Sequence, residues 1–175
     1  ATFFAEELYG VILNLPWGIR CRNPLGYLAF IAFFSVMWND HRTATLLEEA
    51  EERFASAKEI PAYLKKRIRG ELEAIRAMLA FNDMEKVWSH YTEACRLLEG
   101  PSVIFCQDSL WCFGSPTLVF HGLREAGTFQ RQMDLVDQHI HAYFTMSGGI
   151  GKGGEKIMRA EYFLELGDFT RAGPL

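Results

Sequence analysis

The feature that most constrains this chain is a helical periodicity that breaks and resumes around the turn Phe81-Asn82-Asp83-Met84. Before the turn, Leu64, Ile68, Leu72, Ile75 and Leu79 recur at steps of four and three; after it, Val87, Tyr91, Ala94 and Leu98 do the same. Side chains so spaced lie along one face of an α-helix. Asn82 tolerates the left-handed backbone that closes a helix, and the Asp83 carboxylate can accept from the free N–H groups that open the next one. The spacing thus predicts a helical hairpin, and a single hairpin cannot bury its own apolar faces. Other parts of the chain have to cover them.

Similar turns recur at Trp38-Asn39-Asp40-His41, Ala126-Gly127-Thr128-Phe129 and Leu166-Gly167-Asp168-Phe169. Their first turn residues (Asn39, Asn82, Gly127, Gly167) are 43, 45 and 40 residues apart. Near-regular spacing of this kind marks stacked repeats. The predicted fold is all-α, an α-solenoid of antiparallel helix pairs, with a closed helical bundle as its rival. Residues 1–175 read as a single helical-repeat domain, a fragment of a larger chain.

Taken in order, a first helix is predicted from Thr2 to about Leu15, with Phe4, Leu8, Val11 and Ile12 inward and Pro16 as its stop. Pro16-Trp17-Gly18 reads as a turn. Asn23-Pro24 reads as a cap followed by proline in the first turn of a second helix, which carries Leu25 through Trp38. A third helix turns Leu46, Leu47, Ala50 and Phe54 inward, and its acids Glu48, Glu49, Glu51 and Glu52 to water. A long fourth helix starts at Pro61. The cations near its start, Lys65, Lys66, Arg67 and Arg69, fit a solvated face better than an anion site. The fifth helix spans Asp83 to Glu99 and is stopped by Gly100-Pro101. The stretch from Ser102 to Gly114 is long for a loop and unusually apolar, so it is either a plug over a helix groove or a binding element. Ser115-Pro116 opens a sixth helix. Thr128 caps a seventh, with Phe129, Met133, Val136, Ile140 and Tyr143 inward. A glycine-rich loop, Ser147 to Gly154, precedes an eighth helix expected to bury Ile157, Ala160, Phe163 and Leu164, and Asp168 caps a ninth.

Composition narrows the function. The formal net charge is −4, which disfavours nucleic-acid binding by this segment. The four cysteines, Cys21, Cys95, Cys106 and Cys112, form no C-x-x-C pair and read as reduced, mostly buried thiols of a cytoplasmic protein. The first residues lack a basic region. The longest uncharged apolar run, Leu25 to Trp38, is 14 residues, short of the roughly 20 that span a bilayer. No membrane partner is expected.

Most candidate chemistry fails on spacing. Gly148-Gly149-Ile150-Gly151-Lys152-Gly153-Gly154 lacks the leading glycine and the trailing Ser or Thr of a phosphate loop, with Met146 and Gly153 in those places. An anion at the start of the eighth helix, helped by Lys152, is the weaker option left there. Cys106, Cys112 and His121 do not have zinc-site spacing. His139 and His141 point to different sides of a helix. No nucleophile motif or telling carboxylate pair is present. The chain is not read as an enzyme, and no cofactor is expected. Its aromatics, Trp17, Trp88, Trp111, Phe113, Tyr143 and Phe144, are mostly core, with a subset available to stack on a ligand.

Ala160 to Ala172, with Ala160-Glu161-Tyr162 leading into Leu166-Gly167-Asp168-Phe169 and ending at Ala172, resembles a tetratricopeptide repeat. The period here exceeds the usual 34 or so. That resemblance implies a right-handed superhelix of paired helices. Gly100-Pro101-Ser102, followed by Trp111-Cys112-Phe113-Gly114-Ser115-Pro116, the glycine-rich loop and Arg159-Ala160-Glu161, resembles the helical-repeat sensor region of LuxR-type bacterial transcriptional regulators of the MalT-like group. Leu79-Ala80-Phe81-Asn82-Asp83 fits as well, and Lys152 departs from that pattern. The likeness spans roughly Arg20 to Ala172.

The resemblance implies a segment that senses an inducer or binds a partner protein. It would relay the event to an ATPase domain and to a helix-turn-helix domain, so that DNA is met only through a domain missing from this segment. A homo-oligomer is compatible with it. Ligand contact is expected near the apolar loop, at Trp111, Phe113, Arg124 and Tyr143. The alternative is a stand-alone tetratricopeptide-like adaptor that binds a peptide or protein.

Overall fold

The computed structural model describes residues 2–37, 41–80, 83–105 and 125–174, the side chains of residues 2–5, 36 and 37 aside. Among them the regular structure is entirely helical. The helices are α1 (Thr2–Leu13), α2 (Trp17–Arg22), α3 (Pro24–Met37), α4 (His41–Ser56), α5 (Ala62–Leu79), α6 (Met84–Leu98), α7 (Phe129–Met146), α8 (Gly154–Glu165) and α9 (Phe169–Ala172). None is long and apolar enough to cross a membrane among the described residues. The sixth predicted helix, from Ser115, lies outside the described residues until its last turn.

The hairpin that the periodicity predicts is the centre of the fold. α5 and α6 make the most extensive helix contact among the described residues. They run antiparallel: Lys66 pairs with Glu99 at one end, and His90 Nδ1 lies 2.7 Å from Glu73 Oε2 nearer the other. Gly70 allows the close approach. A Cβ there would stand 2.7 Å from the side chain of Leu98, nearer than carbon atoms pack. Asp83 caps α6 as expected, accepting from the Lys86 N–H at 3.2 Å.

α5 also divides the interior. Its Ile68, Leu72 and Ile75 face a first core made with α1, α3 and α4, including Ile12, Leu28, Ile31, Phe34, Leu46, Leu47 and Phe54. Its Ala74 and Ala77 face a second core, made with Trp88 and Tyr91 of α6, Met133, Val136, Ile140 and Tyr143 of α7, and Met158 and Tyr162 of α8. Large residues on one flank and alanines on the other let a single helix serve both.

Two kinds of helix contact repeat along the chain. Neighbours are antiparallel: α4 meets α5 through Ala55 with Lys65 and Glu51 with Arg76, and α7 meets α8 through Asp137 with Arg159 and Gln130 with Tyr162. α6 and α7 are instead parallel. Going up both helices, Glu85 pairs with Arg131, Trp88 stacks on His139 and Tyr91 packs on Tyr143, offsets of 46, 51 and 52 residues. Across α3 and α5, Ser35 Oγ stands 3.9 Å from Met78 Sδ, an offset of 43.

The structure corrects several sequence expectations. Trp17 to Arg22 forms a short helix rather than a turn, because Pro16 presents its carbonyl to Ile19 and Arg20. Arg20 holds it in place. The buried guanidinium donates to the carbonyls of Ile12, Leu13 and Leu15, satisfying the open end of α1, and lies over the rings of Trp17 and Tyr27. Val11, expected inside, is exposed. Thr128 does not cap α7 with its side chain; its hydroxyl donates to the Glu125 carbonyl. In α8 the buried stripe is Gly154, Met158 and Tyr162, while Ile157 and Leu164 face solvent. Phe4 and Asn82 lie outside the described residues or side chains.

Candidate functional site

Residues 100–105, which take in the described part of the apolar loop, lie as a strap over the junction of α5, α6 and α7. Its anchor is a carboxylate that sequence reasoning missed. Glu71 sits in the middle of α5, between the apolar positions Ile68, Leu72 and Ile75, and its side chain is 0% exposed. A buried carboxylate is costly unless its oxygens are satisfied. Here the Ser102 hydroxyl donates to Oε2, the Val103 N–H donates to Oε1 at 3.0 Å, and Arg67 lies 3.7 Å from Oε1.

The strap is tied on its other side too. Ser102 N–H donates to the Met146 carbonyl at 2.7 Å, at the end of α7, and Arg67 donates to the Pro101 carbonyl at 2.9 Å. Burial pushes the Glu71 carboxyl above the ordinary range, against the hydrogen bonds from Ser102 and Val103 and the Arg67 charge, which pull it down.

Beyond Ser102 the strap is apolar. Ile104 packs against both cores. Phe105 meets Tyr143 edge-on, ring centroids 5.9 Å apart, and Tyr143 in turn packs on Tyr91 at 5.3 Å. So Ser102, Ile104 and Phe105 fold down onto a helix junction as a plug, while the Val103 side chain faces solvent. Of the predicted ligand contacts, Tyr143 lies in the second core at 3% exposure, behind Phe105. Trp111, Phe113 and Arg124 lie outside the described residues, as do Cys106, Cys112 and His121.

Two further polar groups lie on α6 and α7. Trp88 Nε1 and the side-chain oxygen of Gln132 are buried, one a donor and the other an acceptor, and neither has a hydrogen-bond partner among the described residues. Orphans of this kind are uncommon in protein interiors. The Trp88 ring stacks on His139, whose Nδ1 lies 3.3 Å from Thr92 Oγ1.

Other sequence candidates are resolved by their neighbours. Of the cations opening α5, three are engaged within the fold: Lys65 with the Ala55 carbonyl, Lys66 with Glu99, and Arg67 with Glu71 and Pro101. At the glycine-rich loop, the Gly153 N–H is taken by the Glu155 carboxylate at 2.8 Å, so an incoming anion would meet a negative charge at the start of α8. Cys21 and Cys95 are free thiols, half-buried rather than buried. A cavity of about 430 Å3 opens not at the strap but beside the first core, lined by Cys21, Arg22, Glu59, Ile60 and Leu64 among others. Burial, then Glu59, pushes the Cys21 thiol up, which makes it a poor nucleophile.

No protein-family model, curated protein or solved structure matches this chain. What the chain does has to be inferred from its own geometry and from the residues that carry the resemblance.

Proposed function

We propose that this chain is the ligand-sensing and protein-interaction segment of a LuxR-type, MalT-like transcriptional regulator, built as an α-solenoid of tetratricopeptide-like helix pairs. In this reading it relays the binding of an inducer or partner protein to ATPase and DNA-binding domains elsewhere in the regulator. The observation that carries the solenoid is register. The α6–α7 offsets of 46, 51 and 52 lie one to seven residues above the 45-residue spacing of the turns at Asn82 and Gly127, and the one Ser35–Met78 contact between α3 and α5, at 43, equals the spacing of the turns at Asn39 and Asn82. A stack of like hairpins produces offsets near the turn spacing, because each helix then lies beside its counterpart one repeat on. The sensor role is supported by the Trp111 to Pro116 stretch and by the plug that leads into it.

The reading frame around this segment is the first test. A P-loop domain before it and a helix-turn-helix domain after it are the expected result. A frame coding for neither overturns the regulator and leaves the adaptor. For ligand placement, tryptophan fluorescence during inducer screening should respond in the wild type and lose most of its response in Trp111→Phe. A ligand that binds tightly and leaves the variant's response unchanged counts against a site at Trp111, Phe113, Arg124 and Tyr143.

A further inference from the structure

We propose that Glu71 is a charge-sensitive latch for the strap 100–105: neutral, it holds the strap down on α5 and α7; ionised, it favours the strap lifting so that the carboxylate meets water. This inference is independent of the regulator reading.

The strap itself covers the carboxylate. Glu71 is shut off from solvent, and its two oxygens accept from the Ser102 hydroxyl and the Val103 N–H, both from the strap. Lifting the strap therefore removes those two partners. Water can then solvate the ionised form, which gains far more from hydration than the neutral form does.

The surrounding charges do little to oppose this. From α5 itself comes Arg67, at 3.7 Å and one-third exposed, so its attraction is screened by solvent and shared with the Pro101 carbonyl. From α6 comes Glu99, which is engaged by Lys66. From α7 comes a backbone carbonyl, that of Met146, reached through Ser102. When Glu71 is neutral its carbonyl oxygen still accepts the Val103 N–H and its hydroxyl can donate to the Ser102 oxygen, so the closed form keeps both contacts, one with its direction reversed, without a buried charge.

Burial sets the direction of the response. The folded carboxyl titrates above its unfolded value. Its contribution to the closed strap is complete below the unfolded value and is lost as pH rises to the folded one. Because Ile104 packs on both cores and Phe105 packs on Tyr143, lifting the strap also loosens the joint between the two halves of the molecule. The latch thus ties a local proton to the contact between cores.

The test is amide exchange at Val103 and Ile104 in the full chain, measured across about pH 4 to 9 and corrected for intrinsic exchange, in wild type and Glu71→Gln. For each pH unit by which the carboxyl titrates higher under the strap than in water, opening changes about tenfold. Protection in the wild type should fall as pH rises, while Glu71→Gln should stay flat. Equal pH dependence in both proteins, or protection that grows with pH in the wild type, overturns the latch. Should the variant not fold, the wild-type Glu71 carboxyl resonance decides. Titration above the ordinary glutamate range, in step with the Val103 amide resonance, supports the latch; titration at or below that range removes it.

Discussion

The two cores that share α5 are built from different materials. The first is aliphatic and phenylalanine-rich: Leu28, Ile31, Phe34, Leu46, Leu47, Phe54, Ile68, Leu72 and Ile75 are buried there, with no buried methionine among the described residues. Its one buried cation among them, Arg20, has its donors placed on three carbonyls and the Tyr27 hydroxyl. The second core buries Met84, Met133, Met146 and Met158 with Tyr91, Tyr143, Tyr162 and Trp88, and the indole nitrogen of Trp88 is an orphaned polar atom within it. Branched aliphatic side chains have few rotamers and pack in one way. Methionine has three rotatable bonds and fills irregular gaps, so a methionine core accepts rearrangement at lower cost. The contrast teaches that the N-terminal half is the frame, and that the half carrying the strap is the part able to repack.

A matched pair of truncations gives the largest effect and can break this comparison outright. Leu28 and Met146 are both 0% exposed. Leu28→Ala should cost about 4–5 kcal/mol, the upper end for such changes, because its rigid neighbours cannot close the cavity. Met146→Ala should fall near the lower end, about 2–3 kcal/mol, because flexible neighbours collapse into it. Urea unfolding of both variants checks this, and equal losses would erase the distinction.

A smaller effect is expected at the seam. Gly70→Ala places a Cβ 2.7 Å from Leu98 and should cost about 1–3 kcal/mol by forcing α5 and α6 apart. Since α5 serves both cores, the thermal transition should move as one unit. A variant that broadens into two transitions would show the cores to be less coupled than a shared helix implies.

The smallest effect sharpens the picture of the second core. Trp88→Phe removes an unsatisfied N–H at the expense of some ring volume, so stability should change by less than about 1 kcal/mol. A loss several times larger would mean that the indole N–H has a partner in solution.

The sequence makes some of this legible and hides the rest for identifiable reasons. The α5–α6 hairpin can be read because its large apolar residues recur at helical spacing on both sides of a capping residue, Asp83, which accepts a backbone N–H at the start of α6 as Asp168 does at the start of α9. The face of α8 cannot, because Ile157 and Leu164 compete with Met158 and Tyr162 for the inward position, and a 3.6-residue period does not choose between two apolar stripes. Glu71 is invisible to periodicity. It is a single acid beside Ile68, Leu72 and Ile75, and its partner Ser102 is 31 residues away. Arg20 is hidden for a similar reason, since the carbonyls it satisfies belong to a helix end rather than to a charged partner. The apolar loop is readable as a plug at Ile104 and Phe105, which pack on the cores, but not at Val103, which stays exposed.

Native-state hydrogen exchange tests the central claim, a stiff frame joined through α5 to an adaptable half, most directly. Amides inside α3, α4 and the first-core side of α5 should exchange only through global unfolding, while those of α7 and α8 should open at a distinctly lower free energy as a separate unit. If α7 and α8 exchange at the same free energy as α3 and α4, the two cores are equally rigid and the account is wrong.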